Sequence, residues 1–296
     1  MRVAITGASG RLGSALVRAF ASETVISWTR PDFDLDVPFV ADRLARRDRP
    51  ELVIHAAAWT DVDACARKPE LATRRNGAAV RELAMACGAA GADLVLVSTN
   101  EVFAGERCDG AYAPEDATGP INPYGASKLA GERAAHDVFL DATRARLFIV
   151  RTAWLFGHPG NDFPEKILRA ARAAQAAGNP LRVVGDEVGT PSYARDVAAF
   201  IRALVTPARR AGTYHAVNAG RCTRAEWALE ILRVAGESVR TESVPLASWT
   251  RDSTPPRCAP LAASTLPDVP ALPTWQAATA EYVPALVQRL GSAARR

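Results

Sequence analysis

A chain of 296 residues, 48% of them hydrophobic, is long enough to bury a large core, and its net charge of +4 comes from 36 basic and 32 acidic residues dispersed along its length. One large α/β domain, or one domain with a smaller lobe, is expected. Lys and Arg form no run longer than two residues, as at the terminal Arg295-Arg296, so no nucleic-acid partner is expected, and no apolar run reaches membrane-spanning length, so no membrane partner is either.

The chain begins on a strand pattern, Arg2-Val3-Ala4-Ile5-Thr6, with no signal peptide expected before it. Gly7-Ala8-Ser9-Gly10-Arg11-Leu12-Gly13 follows, and then Ser14 to Phe20 at helical period. Glycines at 7, 10 and 13 between a strand and a helix let the backbone turn tightly and approach a pyrophosphate at the helix N-terminus. Gly7, Ser9, Gly10, Arg11, Leu12 and Gly13 are therefore candidate dinucleotide contacts. The second strand, Thr24 to Trp28, ends in Thr29-Arg30 rather than in the carboxylate that would bind ribose hydroxyls. Arg30 has two readings: a partner for a 2′-phosphate, which favours NADPH over NADH, or a solvated loop residue. Asp36 follows in a loop within reach of an adenine. A helix is expected from Pro38 to Arg47.

Leu52-Val53-Ile54-His55-Ala56-Ala57-Ala58 reads as a buried parallel strand that ends in small residues. Ala56, Ala57 and Ala58 leave room for a ligand at the sheet's carboxyl edge. His55 reads as a strand-end residue with a satisfied hydrogen bond more readily than as a base. Helices are expected over Trp59 to Arg67 and Pro69 to Ala90, and Asn76 within the second is expected to tie down a neighbouring loop.

The fourth strand, Asp93 to Thr99, ends in two hydroxyls followed by Asn100-Glu101. A long polar loop rich in Gly and Pro runs from Phe103 to Pro123, a length often tied to function. Tyr124-Gly125-Ala126-Ser127-Lys128 then opens a helix after Asn122-Pro123. Tyr124 and Lys128 are four residues apart and share a face. An ammonium beside a phenol is expected to lower the phenol's pKa and to make it a proton donor and acceptor during hydride transfer. Thr99 stands 25 residues earlier and can hydrogen-bond the same carbonyl oxygen.

Leu147 to Arg151 is the next strand, running into Thr152-Ala153-Trp154, where Trp154 is either a substrate wall or core. A helix over Phe163 to Ala177, a strand over Leu181 to Val184, a helix over Asp196 to Val205 and a strand over Gly212 to Val217 follow. Thr223 with Glu226 three residues on marks a capped helix to Ala235. Six prolines from Pro255 to Pro273 predict an irregular excursion around the smaller lobe, before a last helix over Trp275 to Leu290. Five cysteines, at 65, 87, 108, 222 and 258, contain no Cys-x-x-Cys, and their odd number predicts reduced thiols in a cytoplasmic protein. The alternating order predicts a Rossmann-type doubly wound parallel sheet with a small C-terminal substrate lobe. The 1–296 unit divides into a cofactor core over about 1–155 with parts of 180–220, and a lobe over about 156–180 and 221–296.

The glycine loop, Ser98-Thr99 and Tyr124-x-x-x-Lys128 together resemble the extended short-chain dehydrogenase/reductase superfamily. His55-Ala-Ala-Ala-Trp-Thr-Asp-Val-Asp63, Val97-Ser-Thr-Asn-Glu-Val-Phe-Ala-Gly105, Pro120 to Glu132, Arg151-Thr-Ala-Trp-Leu-Phe-Gly157, Gly185 to Ser192 and Gly212 to Asn218 resemble the dTDP-4-dehydrorhamnose reductase family. The resemblance covers residues 1 to about 220 and thins beyond, where Arg257 matches the family's arginine. It implies that Thr99, Tyr124 and Lys128 are catalytic, that Lys128 also holds the nicotinamide ribose, and that Asn100, Glu101, Trp154 and Arg257 meet a nucleotide-sugar substrate. It implies reduction of the 4-keto group of a nucleotide-linked 6-deoxyhexose by NADPH or NADH, in a monomer or homodimer. The chain departs from the family in Asn100, where an Asp is usual, and in Arg257-Cys258, where Arg-Pro is usual. Ser14 and Ala15 stand where some members carry a metal-linked Glu, so no metal is expected. A sugar-nucleotide 4,6-dehydratase or epimerase is the rival on the same scaffold, although the Asn100 amide cannot serve as its acid. A non-catalytic regulatory subunit is a second rival, and it would be expected to have lost part of the Thr/Tyr/Lys set.

Overall fold

Val3 to Thr6 are buried because the first strand lies inside a sheet and apolar clusters cover it on both faces, Val3 and Ile5 in one and Ala4 in the other. The computed structural model describes residues 1–142 and 144–293; Arg295-Arg296 lies outside the described residues. In chain order the first half contains β1 (Arg2–Thr6), α1 (Arg11–Ala19), β2 (Thr24–Trp28), α2 (Val40–Asp48), β3 (Leu52–His55), α3 (Val62–Arg67), α4 (Pro69–Thr73), a π-helical turn (Arg74–Ala78), α5 (Ala79–Ala90), β4 (Asp93–Thr99), α6 (Pro123–Leu140) and β5 (Leu147–Thr152). The second half contains β6 (Leu155–Phe156), α7 (Phe163–Ala176), β7 (Leu181–Val184), β8 (Val188–Gly189), β9 (Ser192–Tyr193), α8 (Ala194–Leu204), β10 (Gly212–His215), β11 (Cys222–Thr223), α9 (Arg224–Ala235), β12 (Thr241–Val244) and α10 (Trp275–Ala293).

Six strands form one parallel sheet in the order β10-β5-β4-β3-β1-β2. Leu16 of α1 with Val197 and Ile201 of α8 pack on one face, and Leu44 of α2, Leu83 of α5 and Ala135 of α6 pack on the other. This is the doubly wound arrangement the alternating pattern predicts. The chain steps outward from β1 to β2 on one side, and from β3 through β4 and β5 to β10 on the other. The carboxyl ends of β1 and β3 therefore flank the crevice where such sheets bind ligands.

A separate apolar cluster joins Leu168 of α7, Trp227 and Ile231 of α9, and Val283 and Leu286 of α10. β12 pairs in parallel with β7 beside it. Thr241-Glu-Ser-Val carries a single apolar residue, so its pattern did not announce a strand; the pairing to β7 makes it one.

Two expectations are corrected by the C-terminal segment. The proline-rich stretch does not only wrap the lobe: Cys258 N donates to Gly105 O (2.8 Å), Ala259 N to Val188 O (3.2 Å) and Ser264 N to His215 O (2.9 Å), which stitches the lobe to the sheet. The cysteines are not all reduced. Cys108 and Cys258, 150 residues apart in sequence, are joined in a disulfide with their Cα atoms 4.9 Å apart, while Cys65, Cys87 and Cys222 are free and buried. The pairing is created by backbone bridging of Glu106 to Cys258, a tertiary contact with no sequence signature. Among the described residues no helix is long and apolar enough to cross a membrane.

The sheet and α6 are locked by a buried ion pair: Arg151 of β5 donates Nε to Glu132 Oε1 (3.0 Å) and Nη2 to Oε2 (2.7 Å), with side chains 7% and 4% exposed. Removing one partner of such a pair strands the other's charge. Glu132→Ala is expected to cost about 3–5 kcal/mol, read as a lower urea midpoint with an unchanged slope.

Candidate active site

The glycine loop is shaped by close backbone approach. Gly7 has φ +64°, and a Cβ there would stand 2.9 Å from Ala57 N. A Cβ on Gly13 would stand 2.0 Å from Gly7 O, so neither position tolerates a side chain. Thr6 Oγ1 accepts from Ala57 N (3.0 Å) and lies 2.9 Å from His55 Nδ1, which ties the end of β1 to the end of β3. His55 is buried, its Nε2 finds no partner among the described residues, and burial pushes its pKa down to about 3. A neutral, inward-facing imidazole is structural here, and only one of its nitrogens is satisfied.

α6 begins at Asn122, whose Oδ1 accepts from Gly125 N (2.8 Å), with Pro123 in the first turn. Its inner face presents Tyr124, Ser127, Lys128, Gly131 and Glu132 to the sheet. α6 approaches its neighbours through backbone: a Cβ on Gly125 would stand 2.0 Å from Glu101 O in the turn after β4, and one on Gly131 would stand 2.3 Å from Asn76 O in the π-helical turn. Asn76 sits in the π-helical turn, where one extra residue per turn aims its amide inward. Its Oδ1 accepts from Trp59 N (2.8 Å), and its Nδ2 donates to Trp59 O (3.0 Å) and lies 3.0 Å from Ser127 Oγ. It ties down the neighbouring loop, as its position predicts. The same bonds explain why α3 starts at Val62 rather than Trp59, since the backbone of Trp59 is already engaged.

These elements enclose a cavity of about 620 Å³ at the carboxyl edge of the sheet. Gly7, Ser9, Gly10, Arg11, Leu12 and Gly13 line it from one side, and Ala56, Ala57 and Ala58 form its floor. Thr99, Asn100, Glu101, Tyr124, Lys128 and Trp154 line the far side, and Arg30 lines it as an exposed residue. Arg11 also ties the loop after β6, donating from Nε to Gly157 O (3.1 Å).

Two candidates lie elsewhere. Asp36 is outside the lining; its carboxylate is held by Arg75 (2.9 and 2.5 Å) and thereby kept below the usual carboxylate range. Asp34 and Leu35 reach the cavity in its place. Arg257 is exposed and outside the lining, because its backbone carbonyl pairs with Val188 N (2.7 Å) at the rim of the lobe. The cation that lines the cavity beside Trp154 is Arg224, the first residue of α9. Its guanidinium lies 3.5 Å from the centroid of the Trp154 ring and donates to Glu187 Oε1 (2.9 Å). Trp154 has a left-handed backbone (φ 41°), and its ring leaves no room for a Cβ on Gly189 (2.3 Å). Such local strain is common at functional sites. Sequence reasoning also missed Arg75, which lines the cavity and lies 4.9 Å over the Trp59 ring. The capping pair Thr223 and Glu226 fixed where α9 starts, but nothing local showed that its first side chain meets Trp154.

The expected lowering of the Tyr124 pKa is corrected. Burial first, and then the charge of Glu101, push the phenol well above its ordinary value, with a hydrogen bond to Thr99 opposing. Lys128 does not contribute, because its Nζ donates to Val97 O (2.8 Å). Burial lowers the Lys128 pKa to about 8, with Glu132 opposing. Tyr124 is thus held as a phenol, in hydrogen-bonding reach of Thr99. Asn100 gives its amide to Ala259 O (3.1 Å), which anchors the proline-rich segment to the end of β4.

A glycine-cradled crevice beside a Thr/Tyr/Lys set defines a dinucleotide-binding α/β protein of the short-chain dehydrogenase/reductase class. The chain belongs to the RmlD substrate binding domain family, whose model matches residues 1–288. It is 36% identical to a dTDP-4-dehydrorhamnose reductase of Streptomyces griseus, over 97% of this chain and 94% of that one. It is 35% identical to a dTDP-4-keto-6-deoxy-D-glucose reductase of Streptomyces niveus, over 78% of each. A crystal structure of dTDP-4-dehydrorhamnose reductase from Bacillus anthracis in complex with NADP superposes with a TM-score of 0.88 at 30% identity, covering 96% of this chain and 99% of that one.

Asn76→Ala leaves two backbone groups of Trp59 without their partner. It is expected to cost about 1–3 kcal/mol in urea unfolding and to weaken dinucleotide binding, measured by fluorescence titration.

Proposed function

We propose that this chain is an NADPH-dependent reductase of the 4-keto group of a nucleotide-linked 6-deoxyhexose. The observation that carries the proposal is the convergence of Thr99, Tyr124 and Lys128 beside the glycine loop in one cavity. The cradle fits a pyrophosphate, because Gly7 and Gly13 leave space that no side chain could share. β2 ends without a carboxylate, and Arg30 and Arg75 line the cavity, two guanidinium groups suited to a 2′-phosphate. NADPH is therefore preferred and NADH remains usable. When bound, the nicotinamide supplies the hydride.

Tyr124 gives its proton to the developing alkoxide, a role that suits a phenol kept protonated by burial. Thr99 hydrogen-bonds the same oxygen and so stabilises the charge as it grows. Lys128, an ammonium below about pH 8, holds the ribose. Trp154 is the flat wall for the sugar or base. Arg224 takes over the substrate contact expected of Arg257 and pairs with the diphosphate, since it is the cation that lines the cavity beside Trp154. The core over about 1–155 with parts of 180–220 binds the cofactor, and the C-terminal elements form the substrate lobe. The protein acts in the cytoplasm, as a monomer or homodimer, with the Cys108–Cys258 pair as an exception to the reduced state usual there.

The deciding experiment is NADPH oxidation with dTDP-4-keto-6-deoxy-L-mannose by the intact chain and by Tyr124→Phe. Turnover should fall roughly 10²–10⁴-fold in the variant while NADPH binding persists. No turnover by the intact chain, with NADPH bound, would reject the substrate. The pH profile provides a second check. Lys128 is charged below its pKa of about 8, so kcat/KM is expected to hold below that pH and to decline above it. In Lys128→Arg, whose charge persists, the decline should move to higher pH.

A further inference from the structure

The Thr99–Tyr124 pair polarises a carbonyl, and polarisation has a second chemical consequence. A carbonyl oxygen held by two hydroxyl donors acidifies the hydrogens on the carbons that flank it. Whether the site can use that acidity depends on a base beside the pair, and Glu101 is placed there. It follows Thr99 by two residues, and its backbone N–H donates to Thr99 Oγ1 (3.2 Å). Its charge is felt at the Tyr124 phenol, and Glu101 lines the same cavity.

Glu101 has no ion-pair partner among the described residues. Oε2 accepts from Asn122 Nδ2 (2.7 Å), and among the described residues Oε1 has no hydrogen-bond partner. The amide of Asn122 is itself fixed, with Nδ2 also donating to Thr254 O (3.0 Å) and Oδ1 accepting from Gly125 N (2.8 Å). The carboxylate is therefore held by one oxygen while the other is left free. Burial raises its pKa above the usual carboxylate range, with Glu187 adding to the rise and Asn122, Arg224 and Arg251 opposing it. A carboxylate in such a setting is a stronger base than one in water. Neither the hydride transfer nor the protonation of the alkoxide uses it.

We infer that Glu101 exchanges a hydrogen on a carbon next to the 4-keto group with solvent, which gives the site a ketone–enol activity alongside reduction. The Glu101 carboxylate takes the proton from that carbon. The C–H electron pair becomes the new C=C bond, the carbonyl π pair moves onto the oxygen held by Tyr124 and Thr99, and the Tyr124 phenol gives that oxygen its proton, which it takes back on collapse. The enol collapses by the reverse path, and the carbon receives a proton that Glu101 has exchanged with water. No oxidant or reductant is needed. With one base on one face, the hydrogen returns with retention of configuration. The inference rests on the proposed ketone substrate.

The test keeps the two apart. The full chain is incubated with dTDP-4-keto-6-deoxy-L-mannose and NADP+ in D2O, and deuterium at the carbons flanking C4 is followed by NMR. NADPH oxidation with the same ketone is measured on the same preparations. The intact chain is expected to accelerate exchange at one flanking carbon by at least ~100-fold over the ketone alone. Glu101→Gln should lose that acceleration, Glu101→Asp should recover part of it, and Tyr124→Phe should lose it through the carbonyl. NADPH fluorescence titration of each variant confirms that the site is folded. Exchange at the enzyme-free rate by a chain that oxidises NADPH with this ketone overturns the inference and leaves the reductase standing. So does exchange by Glu101→Gln as fast as by the intact chain. A chain that binds NADPH but does not oxidise it with the ketone rejects the reductase reading, and the inference falls with it.

Discussion

The side chain of Asn122 is the junction on which the site depends. One amide caps α6, grips the carboxylate of Glu101 after β4 and holds the carbonyl of Thr254 in the proline-rich segment. Glu101 and Thr254 are 21 and 132 residues from Asn122, and the capped helix is directly continuous with it. The cap sets where α6 begins, and that start decides which residues face the sheet. Had the helix begun one residue later, Tyr124 and Lys128 would be rotated by about 100° away from the cavity.

Burial governs the electrostatics around that junction. Tyr124 and Lys128 share a helix face, yet they do not form the phenol–ammonium pair that their spacing suggests. Lys128 turns to the carbonyl of Val97, and the phenol is left in apolar surroundings with a carboxylate nearby. Desolvation opposes charge on both groups, raising the phenol and lowering the amine. The result is a proton donor that stays protonated and a lysine that changes state in a range where enzymes work.

The C-terminal segment explains why the lobe and sheet form one site. Backbone bonds from 258–264 reach Gly105, Val188 and His215, and the Cys108–Cys258 bond fixes the same crossing. Asn100 closes it from the other side through Ala259 O. Where the family's usual acid would be charged, this amide can only share neutral hydrogen bonds. Here that sharing ties the end of β4 to the lobe.

By itself the sequence determined the parallel sheet, the glycine cradle and the identity of Thr99, Tyr124 and Lys128. Each is written in short-range terms: apolar runs of strand length, glycines spaced for a turn, hydroxyls at a strand end and a helical four-residue interval. It also announced the cap at Thr223 and the start of α6 after Asn122-Pro123, because a helix start is written within a few residues of chain. Only the tertiary structure decided what meets across long separations. Arg224 rather than Arg257 lines the cavity, Asp36 is spent on Arg75, Cys108 finds Cys258, and β12 becomes a strand by pairing with β7. The direction of the Tyr124 shift belongs to this second group as well. Spacing can place a charge near a phenol, but the sign of a pKa shift depends on how much water is removed, and that is settled when the whole chain packs.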